Sequence, residues 1–360
     1  MSVPAPLIAQ EAAATGSAVH TMLGLGALVA EMQEQGISPP ALLLGTGLEP
    51  EQLEDVGARI STEQKVRLLR NAMRLSSQPD VGLRAGMRQR LSDFGVWGYA
   101  LVSSRNFGDA VMLGVKHVRL AGPVLEKRFR IEGGSAIFEA HDVMNLGDVL
   151  PLATEFWFAS IHKLGTCILE APIPSRKLLL PYKRPAHAAA YEQLFNCTVL
   201  FDQPVMEWHF DAAVLGQPCP NANPITTGLC ERFCERLLDP LLNGPNGNGS
   251  ELSRQIRTAC LNGRGDFPSA EVMAGRLGLS VRTLHRRLAA EGLQYQRILD
   301  EVRHSLAVEF LRGTSLSVEQ VAARVGFSDA SNFRKAFRKW TGSTPADFRA
   351  APVPTEPVQG

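Results

Sequence analysis

A chain of 360 residues is longer than a single hydrophobic core usually supports, so about two domains are expected. Its 45% apolar and 20% charged residues belong to a folded globular protein and exclude wholesale disorder. The net charge of +1 hides a division: residues 251–349 hold 16 Lys plus Arg against 10 Asp plus Glu, whereas residues 1–250 hold 21 against 25, so basic charge gathers toward the C-terminus.

Residues 1–16 are expected to be disordered. The first Lys or Arg is Arg59, so the chain lacks the basic start of a secretory signal. The apolar run at 22–30 is shorter than the roughly 18 residues of a membrane span and fits a buried helix. A cytoplasmic protein without membrane contact is expected, at the nucleoid when bound to DNA. Helical spacing of apolar residues occurs near 18–34, 62–76, 106–121 and 148–170, with Val66, Leu69 and Met73 on one face. Residues 125–131 and 136–140 flank Gly133-Gly134 as a hairpin would, and 177–181, 199–201 and 208–210 are further short strands. Phe156, Trp157, Phe158 and His162 on one predicted helix can line a pocket, although aromatics at this spacing are usually core. The part up to 238 is therefore α+β.

Asp239 opens the stretch DPLLNGPNGNGS, which ends at Ser250 and is too rich in Gly, Asn and Pro for a helix or strand. It marks a linker over 239–252. From 253 to 349 only helical patterns remain, and the Pro-rich segment 350–360 reads as a disordered tail.

Within that all-α part, EVMAGRLG at 271–278 returns as EQVAARVG at 319–326, 48 residues later. Each copy reads as helix, tight turn, helix. Met273, Ala274 and Leu277 face a core, as do Val321, Ala322 and Val325, and Gly278 and Gly326 can take the positive φ that ends a helix. Ser280 and Ser328 stand where an N-cap hydroxyl would serve the second helix of each copy. Ser317 and Gln320 form a capping box. The second copy carries one extra residue before Phe333, the match of Leu284; Phe337 matches Leu288.

With Leu284 and Leu288 inward, Arg282, His285 and Arg286 point outward; with Phe333 and Phe337 inward, Ser331, Asn332, Arg334 and Lys335 do. Arg pairs bidentately with guanine and Asn with adenine in the major groove, so these seven are the expected base readers. Arg287, Arg338 and Lys339 suit phosphates. Between the copies, 295–311 reads as one long helix with Ile298, Val302, Leu306 and either Val308 or Phe310 inward. About 20 residues span roughly 30 Å, close to the roughly 34 Å repeat of the major groove. Lone basic helices are usually solvated faces, but a repeated, capped pair with the same turn favours DNA.

The second copy resembles the AraC/XylS family of bacterial transcription regulators over Ala322 to Ser328, Ser331 to Trp340, Gly342, Thr344-Pro345 and Phe348-Arg349. Lys335 departs from the Arg more usual there, keeping the charge without the planar fork. The resemblance, over residues 253–349, implies two helix-turn-helix units joined by a linker helix and a double-stranded operator as partner. It also implies activation, which needs RNA polymerase. More weakly, Ile60-Ser61, Val81 to Gly86, Gly98 to Leu101, Phe107 to Ala110, Leu194-Phe195 and Phe210 to Ala212 are similar to the ligand-binding or dimerisation domain of one branch of that family. This implies a sensor domain at 17–238 for an unnamed small-molecule effector, and a homodimer; no ligand contact is transferred.

No enzyme signature accompanies these features. His117, His141, His162, His187 and His209 are dispersed and read as structural. Six cysteines show no disulfide framework, and no cofactor or metal is expected. A zinc-bound thiol DNA-repair domain is an alternative partner for such helices, but Cys219, Cys230 and Cys234 lack a good fourth ligand. Control by a partner protein is a third reading.

Overall fold

The structure is a computed structural model that describes residues 7–9, 20–55, 58–243, 251–261, 267–313 and 316–350. The chain forms two units divided after Gly244. The first opens with β1 (Leu7–Ala9), β2 (His20–Thr21), α1 (Gly26–Glu34), α2 (Pro39–Leu42), β3 (Arg59–Ile60), α3 (Thr62–Leu75), α4 (Val81–Met87), α5 (Gly95–Val102) and α6 (Phe107–Lys116). It continues through β4 (Glu126–Glu132), β5 (Ser135–His141), α7 (Leu150–Leu169), β6 (Ser175–Leu179), α8 (Ala188–Phe195), β7 (Thr198–Leu200), β8 (Met206–Asp211) and α9 (Pro224–Asn243). A six-stranded sheet has the order β1-β4-β5-β8-β6-β7; only β6 and β7 pair in parallel. Strands β2 and β3 pair separately.

The β4–β5 hairpin forms because Gly133 and Gly134 both take positive φ, 53° and 75°, the geometry whose twist matches the flanking strands. One face of the sheet is aromatic: Phe129 and Phe138 lie 5.0 Å apart, Trp208 and Phe210 also 5.0 Å, and Phe138 meets Trp157 of α7 edge-on at 6.3 Å. The other carries ion pairs, with Arg130 bridging Glu139 and Glu207 at 2.9 Å each. Helix α4 lies directly on α7 because Gly82 and Gly86 present no side chain; a Cβ there would stand 2.7 Å from the Glu155 Cβ and 2.5 Å from the Ala159 Cβ.

The α+β expectation holds, with local corrections. The helix expected from 18 starts at Gly26, because Gly24 at φ 78° breaks the helical path and His20–Thr21 instead pair with Arg59–Ile60. The buried stripe of α3 is Lys65, Leu68, Leu69 and Ala72, one position away from Val66 and Met73. Within the segment expected to be disordered, Leu7–Ala9 pair with β4 as an edge strand, in keeping with their apolar composition; residues 1–6 and 10–16 lie outside the described residues. The linker is also shorter than 239–252. Helix α9 runs on to Asn243 and the next helix begins at Glu251, since extending an established helix needs no new nucleus and Pro240 forfeits only its own backbone donor. Residues 351–360 of the expected tail lie outside the described residues.

The second unit is all α: α10 (Glu251–Leu261), α11 (Ala270–Arg276), α12 (Val281–Ala290), α13 (Tyr295–Gly313), α14 (Val318–Arg324), α15 (Ala330–Thr341) and α16 (Pro345–Ala350). Helix α13 is its spine and packs against α10, α14, α15 and α16, burying Ile298, Val302, Leu306 and Phe310. The choice between Val308 and Phe310 thus falls on Phe310. Midway along the spine the Arg303 guanidinium lies between two rings, 4.7 Å from Phe267 and 5.2 Å from Phe327, so one cation joins the approaches to both helix pairs.

Candidate nucleic-acid interface and sensor cavity

Two helix pairs, α11–α12 and α14–α15, are built alike. Leu277 is half-buried, while Met273, Ala274, Val321, Ala322 and Val325 are buried. Gly278 and Gly326 take φ of 65° and 77°. The next amide turns back in each copy: Leu279 N–H donates to the Ala274 carbonyl at 2.8 Å and Phe327 N–H to the Ala322 carbonyl at 2.9 Å, the bond that closes a helix ending in a left-handed residue. Ser269 caps α11. The Ser317–Gln320 box caps α14 in both directions, at 2.8 and 3.2 Å.

The caps of the second helices differ. Ser280 accepts the Thr283 amide at 3.2 Å, but α15 is capped by Asp329, which accepts the Asn332 amide at 2.8 Å, and not by Ser328. The physical reason is the distance from cap to core: Ser280 precedes buried Leu284 by four residues, and only Asp329 stands four before buried Phe333. The extra residue of the second copy therefore lengthens the turn.

Arg282, His285 and Arg286 on α12 are exposed, as are Ser331, Asn332, Arg334 and Lys335 on α15; so are Arg287, Arg338 and Lys339. Two have partners within the unit: the Asn332 side-chain amide donates to Asp329 at 2.6 Å, and Arg334 pairs with Glu319 of α14 at 2.6 Å. Exposed pairs of this kind contribute about 0–1 kcal/mol, so exchange for another acceptor costs little. Asp329 and Glu319 were not foreseen as site residues; the four-residue cap spacing was the available signal for Asp329.

The first unit holds a partly open cavity of about 170 Å³ beside α7. Its wall is mostly apolar, including Phe94, Trp97, Leu101, Val111, Phe156, Trp157 and Leu164. Thus Phe156 and Trp157 line it, whereas Phe158 is buried core and His162, 5.5 Å from the Trp208 ring, is not in the wall. Lys65, Lys127, Gln89, Arg128 and Ser160 interrupt the apolar lining, and of the three cations Arg128 is ion-paired, with Glu126 at 2.5 Å. Lys65 Nζ donates to the carbonyls of Ala121 and Gly122 at 2.6 and 2.8 Å. Lys127 Nζ stands 5.1 Å from the Trp157 ring centroid. Burial lowers both ammonium groups, Lys65 to about 8 and Lys127 to about 7, with the Lys65 charge adding to the Lys127 shift. A lysine among alternating apolar positions of β4 was the unread signal.

Burial also lowers His20 to about 3, reinforced by Lys65 and Arg119, and His162 to about 4, reinforced by Lys163. The unfolded chain therefore binds more protons than the folded unit below about pH 6.5, and stability falls as pH drops from there toward 4. The two lysines act with the same sign at higher pH: their penalty disappears as pH rises from about 7 toward 10.5. Urea titrations followed by circular dichroism at pH 5, 7 and 9 are expected to give midpoints that increase with pH.

Cys219 and Cys234 are buried, and burial, then the neighbouring Cys230, Glu231 and Glu235, pushes the Cys234 thiol up to about 12. That is the reverse of a reactive thiolate. Among the described residues no three His, Cys, Asp or Glu side chains are grouped to hold a metal ion, and no helix is long and apolar enough to cross a membrane.

Residues 36–219 match the family model described as the arabinose-binding domain of AraC transcription regulator, N-terminal, and residues 273–351 match a helix-turn-helix domain. The chain is 36% identical over 329 residues to the ornithine utilization regulator of Pseudomonas aeruginosa, covering 91% of this chain and 95% of that protein. It is 26% identical to the transcriptional regulator VirS of Mycobacterium tuberculosis, covering 89% and 93%. Among solved structures, the transcriptional regulator CdpR of Pseudomonas aeruginosa is 26% identical, with a TM-score of 0.47 over 91% of this chain and 98% of that one.

Proposed function

This chain belongs to the AraC family of transcription regulators, and from that premise we propose that α12 and α15 are its two recognition helices, governed by a small molecule bound in the first unit. It is a DNA-binding regulator with an arabinose-binding-like sensing domain. The observation that carries the finer reading is the repetition: two helices with the same outward polarity each follow a helix that ends in a positive-φ glycine, the second turn one residue longer, and they flank one long helix, α13. Helix α13 has 19 residues, about 28 Å at 1.5 Å per residue, so successive major-groove segments suit one chain. Arg282, His285, Arg286, Ser331, Asn332, Arg334 and Lys335 are the proposed base readers, and Arg287, Arg338 and Lys339 the phosphate contacts. Activation through RNA polymerase and a homodimer formed by the first unit complete the reading.

The test begins with operators selected from random duplex DNA. Arg282→Ala or Asn332→Ala is expected to weaken binding at one base-pair position by roughly 1–3 kcal/mol. Arg338→Ala should weaken all sequences alike and flatten the salt dependence by about one ion. Uniform losses from all three variants would show that the readers are misassigned.

A further inference from the structure

The cavity beside α7 combines an apolar wall with polar groups that have nothing to satisfy them. Gln89 is buried, and its side-chain nitrogen donates to the Gly24 carbonyl at 2.7 Å, yet its Oε1 has no hydrogen-bond partner; nor has the buried indole N–H of Trp97. Lys127 has only the face of Trp157 against its ammonium group, and no ion pair joins it to a carboxylate among the described residues. Lys65, whose charge it feels, directs hydrogen bonds to two carbonyls, which cannot neutralise it. Burying ammonium groups without a counter-charge is costly, so these lysines give up their protons more readily, and a bound anion would restore the charged form. The orphaned Trp97 N–H donor and the lysine pair without a carboxylate partner among the described residues call for a negative charge with acceptor oxygens, whereas the Gln89 Oε1, an acceptor, is left for a hydroxyl or water.

The rest of the wall defines the remainder of that molecule. Leu101, Val111, Leu164 and the rings of Phe94, Trp97 and Phe156 offer dispersion contacts and few polar partners. A dry engineered cavity of about 150 Å³ holds one benzene ring, so about 170 Å³ accommodates roughly six to eight carbon atoms. Resting on the sensor reading above, we propose that this cavity binds a small apolar monocarboxylate, its carboxylate against Lys127 and its hydrocarbon part between the α7 aromatics and Leu101. Charge complementarity then sets specificity: an anion removes the lysine penalty, a neutral analogue leaves it, and a cation adds to it.

The test uses full-length protein with octanoate, octan-1-ol and octylamine as probes, read by tryptophan fluorescence, since Trp97 and Trp157 line the cavity, and by thermal shift. Octanoate is expected to bind at least about tenfold more tightly than octanol, and octylamine not to bind. Lys127→Met, which removes a buried charge and should fold at least as well, is expected to erase the preference of octanoate over octanol. Octylamine binding as tightly as octanoate, octanoate failing to bind, or an unchanged preference in Lys127→Met would each overturn the proposal. Operator affinity with and without octanoate tests the sensor reading separately. Bound octanoate that leaves operator affinity unchanged would defeat that reading while the anion site stands.

Discussion

Truncating Phe337 to alanine is expected to lower the stability of the C-terminal unit by about 3–5 kcal/mol, and with it the temperature to which operator binding survives. Phe337 is fully buried, and its ring meets four others: Phe348 at 5.3 Å, Phe333 at 5.6 Å, Trp340 at 6.4 Å and His304 at 6.5 Å. It thereby ties α15 to α16 and to the spine α13. A domain of this size is stable by about 5–15 kcal/mol in total, so the loss is a large share of what exists. Urea unfolding of the full chain followed by circular dichroism measures it. Arg338→Ala, one residue along on the exposed side, should leave the unfolding midpoint within about 0.5 kcal/mol of the parent.

The Gly98→Ala substitution is expected to cost about 3 kcal/mol or more and to leave the first unit largely insoluble when expressed. A Cβ built there falls 1.8 Å from the carbonyl oxygen of Leu91 and 2.7 Å from its carbonyl carbon. Both are backbone atoms, so relief requires moving α5 or the turn before it. Gly275 on α11 supplies the contrast: it is exposed, and a Cβ there meets nothing within 4 Å, so Gly275→Ala should stabilise the second unit by about 0.5–1 kcal/mol. The same chemical change is expected to have opposite signs at the two positions, which soluble yield and melting temperature will show.

The sequence was most legible where structure is local. A capping box, a Gly-Gly hairpin and a helical period depend on residues within five positions of each other, and Ser317–Gln320, Gly133-Gly134 and α13 could be read directly. The Ser328 cap failed by one residue because an insertion in a turn has no pattern of its own; the spacing from Asp329 to Phe333 fixes it. Of the cavity only Phe156 and Trp157 were legible, for a different reason. Its wall is drawn from residues between Leu23 and Ile168, and a lysine such as Lys65 looks solvent-bound until the partners of its helix are known. Likewise Pro240 and the glycines after it suggested an early end to α9, although that helix carries through to Asn243.

Arg349 sets a practical edge for anyone shortening this protein. Its guanidinium donates to the carbonyls of Leu311 at 3.0 Å and Leu316 at 2.6 Å, so the last helix laces the joint between α13 and α14. A stop codon after Ala350 keeps the lace; one before Arg349 removes both of these hydrogen bonds at the joint between α13 and α14. Affinity tags and fluorophores are therefore best carried beyond residue 350.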